Sequence, residues 1–144
     1  METRTISCMA VEKGGKFLCI RRASDDSYSG IWEFPSGTLE EGETLEQCAR
    51  RELLEESGLT AGDLKHIGKG SRRLLGGDVT IVQYFYTDKF SGKVRLSDEH
   101  SDFKWFTKGQ ILNMEKLSED AKPDVDATGK IGMDAYNFFN VNKS

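Results

Sequence analysis

The sequence predicts an α/β fold, and three patterns of residues lead to this prediction. Apolar runs at residues 5–11 and 17–20 flank a polar Gly-Gly turn, as in a β-hairpin. Leu45–Ser57 has the character of an amphipathic helix, and Val79–Thr87 is β-branched and aromatic, as strands are. A helix with strands before and after it is typical of a sheet with helices packed on it.

The helix has the clearest predicted boundaries. Thr44 and Gln47 form a capping-box pattern at its start. Gly58 stands where a residue in the left-handed conformation commonly ends a helix. We therefore predict one helix over Leu45–Ser57.

Shorter elements are predicted on both sides of this helix. Phe34 precedes a proline, which biases it toward extended backbone, and Thr107 is placed to cap a helix. The polar residues 116–132 are predicted to form a surface loop. Further strands are predicted at residues 31–35, 93–96 and 103–106, and further helices from Thr107 through about Met114 and over residues 133–141.

Length and composition narrow the function classes. A chain of 144 residues predicts a single domain over residues 1–144. Its formal net charge of −4 argues against a broad grip on nucleic acid. Cys8, Cys19 and Cys48 form no C-x-x-C pair, so we expect reduced thiols and a cytoplasmic protein. No apolar stretch is long enough to predict a signal peptide or a membrane span.

Three carboxylates extend the apolar stripe of the predicted helix. At about 100° per residue, Glu52, Glu55 and Glu56 fall on the side that Leu45 and Leu53 define as buried. They lie within reach of one another near the negative end of the helix, where they would repel unless a cation or protons intervened. Carboxylate oxygen is a preferred ligand of Mg²⁺ and Mn²⁺. Helix geometry alone leaves open a metal site and solvated carboxylates.

The segment that contains these carboxylates matches a known signature. Residues 37–59 read GTLEEGETLEQCARRELLEESGL, and the chain resembles the Nudix hydrolases over residues 31–59. Ser36 departs from the pattern, since many members have a second glycine there. The matching positions are Gly37, Glu43, Arg51, Glu52, Leu53, Glu55, Glu56, Gly58 and Leu59.

The resemblance implies a Nudix-type α/β/α sandwich with a mixed, partly antiparallel sheet, and it assigns roles by motif position. Glu52, Glu55 and Glu56 would bind Mg²⁺, with Mn²⁺ as an alternative, and the Gly37 carbonyl is an additional candidate ligand. Arg51 and Glu43 would form a supporting ion pair. Glu52 is the preferred general base, although a carboxylate outside the signature is an alternative.

Residues outside the signature receive weaker assignments. The resemblance makes Glu99 a candidate late metal ligand or base, ahead of Asp102, and Arg22 a candidate contact to the substrate phosphates. His100 is interpreted as a loop histidine, and His66 is assigned no role. The aromatic residues that could stack on a base are more often core residues. They are Trp32, Phe34, Tyr84, Phe85 and Trp105.

The resemblance implies hydrolysis of a phosphoanhydride in a nucleotide-like small molecule. Residues 74–76 carry neither the proline nor the tyrosine marker of two Nudix subgroups, which favours a (d)NTP cleaved to the monophosphate and pyrophosphate. ADP-ribose or another nucleotide sugar is the alternative. A non-catalytic nucleotide-binding module and an RNA 5′-end pyrophosphohydrolase receive less support, because all signature carboxylates are present and basic residues are few. Homodimer formation is left open.

Overall fold

Mixed β-sheet dominates the structure, a computed structural model that describes residues 3–23, 30–73, 77–117 and 129–141. The part of the predicted loop at residues 118–128 and the marker positions 74–76 lie outside the described residues. The helices are α1 (Leu45–Ser57), α2 (Lys108–Asn113) and α3 (Met133–Phe138). The strands are β1 (Thr3–Lys13), β2 (Lys16–Arg22), β3 (Trp32–Glu33), β4 (Ser36–Thr38), β5 (Thr60–Ala61), β6 (Lys65–Arg73), β7 (Val79–Thr87), β8 (Phe90–Ser91), β9 (His100–Thr107), β10 (Glu115–Lys116) and β11 (Lys130–Ile131).

Strand order places β1 and β2 in the middle of the sheet. The described strands run β10-β11-β3-β2-β1-β7-β6, with β4 paired to β1 and β9 paired to β2. β1 is antiparallel to β2 and β4 but parallel to β7, so the sheet is mixed. β5 and β8 form a separate two-stranded ribbon. This arrangement confirms the predicted hairpin and the predicted mixed sheet.

The two faces of the sheet carry separate cores. In β1, Ile6, Cys8 and Ala10 pack with residues of α2 and α3. The alternate residues Met9 and Val11 pack with residues of α1. Because successive side chains of a strand point to opposite faces, helices cover both sides of the sheet. The α/β/α layering is therefore confirmed.

The helix α1 spans the residues that the sequence predicts. Both hydrogen bonds of the capping box between Thr44 and Gln47 are present. Gly58 adopts the left-handed conformation with φ of 76°, and its N–H donates to the Leu54 carbonyl. Leu53 is fully buried, while Leu54 is 53% exposed. The caps set the bounds of α1, and its buried residues, Glu56 among them, define the face toward the sheet.

Several sequence predictions differ from the structure. Residues 93–96 form no strand. The Arg95 N–H donates to the Ser57 carbonyl at the end of α1 rather than to a neighbouring strand. The last helix ends at Phe138 rather than residue 141, since turn bonds follow it. β6 was not predicted, and it forms by antiparallel pairing with β7. His100 begins β9 and is buried, so its interpretation as a loop histidine is wrong.

Other predictions are confirmed. β7 has the predicted bounds, β9 contains residues 103–106, and Thr107 caps α2. In the described part of the chain, no helix combines the length and the apolar character needed to cross a membrane.

Candidate functional site

The three carboxylates of α1 occupy different environments. Glu56 is buried, with 6% of its surface exposed, and the Ser36 N–H donates to its Oε1 at 2.8 Å. The Glu52 side chain is 14% exposed, whereas the Glu55 side chain is 57% exposed. Two of the three candidate ligands therefore face β4, and Glu55 lies at the solvent edge.

Gly37 lies directly against the Glu52 carboxylate. A Cβ at this position would come within 2.0–2.4 Å of the three carboxylate atoms of Glu52, far inside van der Waals contact. The Gly37 carbonyl accepts a bond from the Cys48 thiol at 3.6 Å. A carbonyl oxygen has two lone pairs, so this bond is compatible with a second interaction. A glycine is needed at this position because the Glu52 carboxylate approaches the backbone of β4 too closely for a side chain to fit.

Arg51 joins the acidic residues of the signature. Its Nε and Nη2 donate to Glu43 at 2.5 and 3.0 Å, and its Nη1 lies 2.7 Å from Glu52 Oε1 and 3.2 Å from Glu55 Oε2. The hydrogen bonds between Arg51 and Glu43 lower the pKa of Glu43 to about 2 and raise the pKa of Arg51. The expected ion pair is thus present, and it holds one oxygen of Glu52 in a defined position.

A second group of side chains meets Glu56 from the other side. Glu33 from β3, Glu56 from α1 and His100 from β9 place one ligand atom each within 4.8 Å of one another. His100 Nε2 lies 2.9 Å from Glu33 Oε2, and Arg22 Nη1 donates to both oxygens of Glu33 at 3.3 and 3.4 Å. Arg22 therefore reaches the acidic cluster, as a contact to substrate phosphates would require.

Sequence reasoning missed Glu33. Its signal was a carboxylate between Trp32 and Phe34, two aromatic side chains that the structure buries. A charged side chain within a buried strand needs a partner, but the sequence does not reveal that this partner comes from β9. The interpretation of Trp32, Phe34, Tyr84 and Phe85 as core residues is confirmed by their burial.

Electrostatic repulsion is concentrated at this cluster. Burial, together with the neighbouring carboxylates of Glu33, Glu52 and Glu99, raises the pKa of Glu56 to about 9. Burial also raises the pKa of Glu52, with Glu55 and Glu99 adding to the shift. Glu99 is exposed and directly precedes His100, which belongs to the cluster with Glu33 and Glu56. Protons or a cation must compensate such a set of charges.

A hard divalent cation fits these donors. Carboxylate and carbonyl oxygens are the ligands that Mg²⁺ and Mn²⁺ prefer. Glu52 lies against Gly37 and Glu56 accepts from the adjacent Ser36, so β4 lies against both carboxylates. Glu55 lies at the exposed edge of this group, where Arg51 Nη1 donates to it at 3.2 Å. A cation here would replace the proton that the raised pKa of Glu56 otherwise implies.

A cavity of about 290 Å³ lies between β6, β7 and α3. Arg72 and Asp134 form an ion pair of 3.3 Å in its wall, and burial raises the pKa of Asp134. Cys8 lies between the cavity and the acidic cluster, since it pairs with Tyr84, which lines the cavity, and with Ser36, which donates to Glu56. The remaining lining residues are Lys69, Gly70, Ser71, Val82, Tyr84, Met133, Asn137, Asn140 and Val141.

The lining of this cavity mixes hydrogen-bonding groups with apolar surface. Amide, guanidinium and carboxylate groups could pair with the edge of a heterocycle, while Val82, Met133 and Val141 offer apolar contact. The cavity and the acidic cluster together could therefore hold the two unlike ends of one ligand.

Comparison with known proteins relates the chain to one family. A model described as the NUDIX domain matches residues 1–126. The chain is 38% identical over 93 residues to the oxidized purine nucleoside triphosphate hydrolase of Danio rerio, a match that covers 64% of this chain and 59% of that protein. It is 32% identical to the nucleoside triphosphatase NudI of Enterobacter sp. strain 638, covering 83% and 92% of the two chains.

Two further comparisons extend the range of similar proteins. The ADP-ribose pyrophosphatase of Methanocaldococcus jannaschii is 31% identical, with 76% of this chain and 63% of that protein covered. The solution structure of the Escherichia coli ORF135 protein superposes with a TM-score of 0.68 at 26% identity and covers 78% of this chain and 79% of that one. The similar proteins thus carry names for several different substrates.

Proposed function

This chain belongs to the NUDIX family of pyrophosphohydrolases, and on that premise we propose that it hydrolyses a (d)NTP to the monophosphate and pyrophosphate with Mg²⁺. The observation that carries the proposal is the placement of Glu56 and of a cavity of about 290 Å³ on either side of Cys8, which pairs with Ser36, the donor to Glu56, and with Tyr84, a lining residue. The cluster suits a cation that accompanies phosphates, and the cavity suits a nucleobase.

Glu52, Glu56 and the Gly37 carbonyl are the proposed ligands of the metal, with Glu55 and Glu99 as further candidates. When bound, the cation would neutralise phosphate charge and make water more acidic. Mn²⁺ is the proposed substitute for Mg²⁺, because it accepts the same oxygen donors.

Glu52 is the proposed general base. Water attacks one phosphorus of the anhydride, a new P–O bond forms, the bridging P–O bond breaks, and the proton of the water passes to Glu52. Arg51 holds Oε1 of this carboxylate at 2.7 Å, so Oε2 is the atom proposed to take the proton. Burial raises the pKa of Glu52, which makes it a better base than an exposed carboxylate.

Arginine side chains have two different roles in this proposal. Arg22 contacts the substrate phosphates from the end of β2, where its guanidinium already meets the acidic cluster. Arg51 and Glu43 keep the helix carboxylates in position and touch no substrate.

A nucleoside triphosphate is proposed ahead of ADP-ribose. Two of the reported relatives are named as triphosphate hydrolases, and one of these aligns over 92% of its length. ADP-ribose or another nucleotide sugar is the second candidate, favoured by the 31% identical pyrophosphatase. A non-catalytic nucleotide-binding role and RNA 5′-end hydrolysis receive less support, because the signature carboxylates are intact and the net charge is −4. A cytoplasmic location is part of the proposal, and homodimer formation stays open.

A substrate panel tests the proposal. The protein is incubated with Mg²⁺ and single (d)NTPs, ADP-ribose, diadenosine polyphosphates or NADH, and products are separated by ion-exchange chromatography. Monophosphate and pyrophosphate from a triphosphate, lost in Glu52→Gln and Glu56→Gln, are the expected result. AMP from ADP-ribose without triphosphate turnover would move the assignment to the second candidate. No turnover of any compound would contradict both.

A further inference from the structure

Glu33 is a half-buried carboxylate that the proposed mechanism does not use. It lies in β3, and β2 pairs both with β3 and with β9. From β2, Arg22 Nη1 donates to Glu33 at 3.3 and 3.4 Å, and from β9 the imidazole of His100 lies 2.9 Å from Glu33 Oε2. Side chains from three strands thus meet at one carboxylate, directly beside Glu56.

The surroundings of His100 indicate which ring nitrogen carries the proton. Its side chain is fully buried, and Nδ1 has no hydrogen-bond partner among the described residues. A proton on Nδ1 would leave a buried donor unpaired and turn the Nε2 lone pair toward a carboxylate oxygen. A proton on Nε2 is donated to Glu33 and leaves only an acceptor unpaired. The tautomer with the proton on Nε2 is therefore favoured.

The unpaired Nδ1 also argues against His100 as a metal ligand. A histidine that binds metal through one ring nitrogen normally donates the N–H of the other nitrogen to a carboxylate, carbonyl or water. The Nδ1 of His100 has no such partner in the described part of the chain. Its geometry is that of a donor that orients Glu33.

We propose that Glu33 and His100 are positioning residues. The His100 N–H holds the Glu33 carboxylate, and Glu33 orients the guanidinium of Arg22 toward the substrate phosphates. The inference rests on the proposed function of Arg22. The planar guanidinium has five N–H donors in a fixed arrangement. A carboxylate that fixes one edge of the group therefore also fixes the direction of its other edges.

Steady-state kinetics with the triphosphate that the wild type turns over fastest tests this inference. Glu33→Gln and His100→Ala should each raise KM about tenfold and change kcat less than about threefold, because they disturb phosphate binding rather than the reacting groups. Arg22→Ala should raise KM at least as much, and Glu33→Gln should add little in the double variant. His100→Gln supplies an amide N–H and should restore part of the loss.

Two controls distinguish positioning from other roles. His66→Gln changes an exposed histidine whose ring lies against Phe85 and 2.7 Å from Gln83 Oε1, and it should leave KM unchanged. Mn²⁺ affinity, measured by electron paramagnetic resonance, should stay within about threefold of the wild type in His100→Ala. Circular dichroism checks folding; if His100→Ala does not fold, Glu33→Gln and His100→Gln decide the outcome.

Binding of inorganic triphosphate in Ca²⁺, measured by calorimetry, gives the same comparison without turnover. Wild-type binding that weakens in Arg22→Ala, Glu33→Gln and His100→Ala is expected. Unchanged binding or KM in Glu33→Gln and His100→Ala would overturn the inference while pyrophosphate release by the wild type still supports the proposed function. A nitrogen coupling to bound Mn²⁺ that disappears in His100→Ala would also overturn it, since His100 would then be a ligand.

Discussion

The contact between Gly37 and Glu52 offers a sharp test of how the fold positions the site. In Gly37→Ala, the new methyl group would lie 2.0–2.4 Å from the Glu52 carboxylate, whereas ordinary contacts begin at 3.4 Å. The carboxylate must therefore move by about 1 Å or more. The affected atoms are the far end of a flexible side chain, so the carboxylate can move without unfolding the protein. The move displaces the carboxylate from its place in the site.

The expected effect is a large loss of activity with little loss of stability. A displacement of about 1 Å at a reacting group can cost about 100-fold in rate. We expect kcat of Gly37→Ala to fall about 100-fold, while the midpoint of urea denaturation changes little. The assay is pyrophosphate release at saturating Mg²⁺, with denaturation followed by circular dichroism.

Gly109 provides the matched control for this substitution. A Cβ there would meet its nearest atom, the Thr107 hydroxyl oxygen, at 3.9 Å, and the residue lies in α2. Gly109→Ala should keep full activity and stabilise the protein by about 0.5–1 kcal/mol. Activity of Gly37→Ala within threefold of the wild type would refute the reasoning.

Three further perturbations test packing, ion pairing and charge. Leu53→Ala should lower the free energy of unfolding by about 2–5 kcal/mol because Leu53 is fully buried, whereas Leu54→Ala should change it by less than about 0.5 kcal/mol in urea denaturation. Arg51→Lys should lower kcat at least about tenfold in the pyrophosphate assay, since lysine cannot form the paired bonds to Glu43. Because the pKa of Glu56 is raised to about 9, metal binding near pH 7.5 should release about one proton, measured by calorimetry in two buffers, and Glu56→Gln should release none. The same shift makes the metal-free protein less stable as pH rises from about 4.5 to 9, because the unfolded chain loses a proton that the folded chain keeps.

The first three of these expectations each have a contradicting result. Equal destabilisation by the two leucine variants would refute the assigned burial of α1. Full activity of Arg51→Lys would mean that the bonds to Glu43 do not position the site. Equal proton release by Glu56→Gln and the wild type would assign the titrating group elsewhere.

Local signals made part of the fold predictable. The helix α1 has a capping box at Thr44 and a left-handed glycine at Gly58, and both act within a few residues of the boundary they set. β7 is β-branched and aromatic throughout, so local propensity agrees with its place in the sheet.

Other elements depend on contacts that are distant in sequence. β6 reads KHIGKGSRR, with two glycines and five basic residues, and it is a strand because β7 supplies its hydrogen-bond partners. Val94 and Leu96 have the apolar character of a strand, but they pack on the core cluster of α1 from a loop. Tertiary contacts outweigh local propensity in both segments.

The site shows the same division. Glu52 and Glu56 lie four residues apart on one helix, so spacing alone predicts that they are neighbours. The resemblance to the signature, rather than spacing, predicted the ion pair of Arg51 with Glu43. Glu33 and His100 are 67 residues apart, and only the pairing of β2 with both β3 and β9 brings them together. A carboxylate flanked by buried aromatics indicates a buried charge without identifying its partner.

The most direct test of the central claim is ³¹P nuclear magnetic resonance of a (d)NTP incubated with the protein in the presence and absence of Mg²⁺. The account predicts the appearance of monophosphate and pyrophosphate with Mg²⁺, and no reaction without it or with Glu56→Gln. Turnover by Glu56→Gln at the wild-type rate, or inorganic phosphate as the first product, would contradict the account.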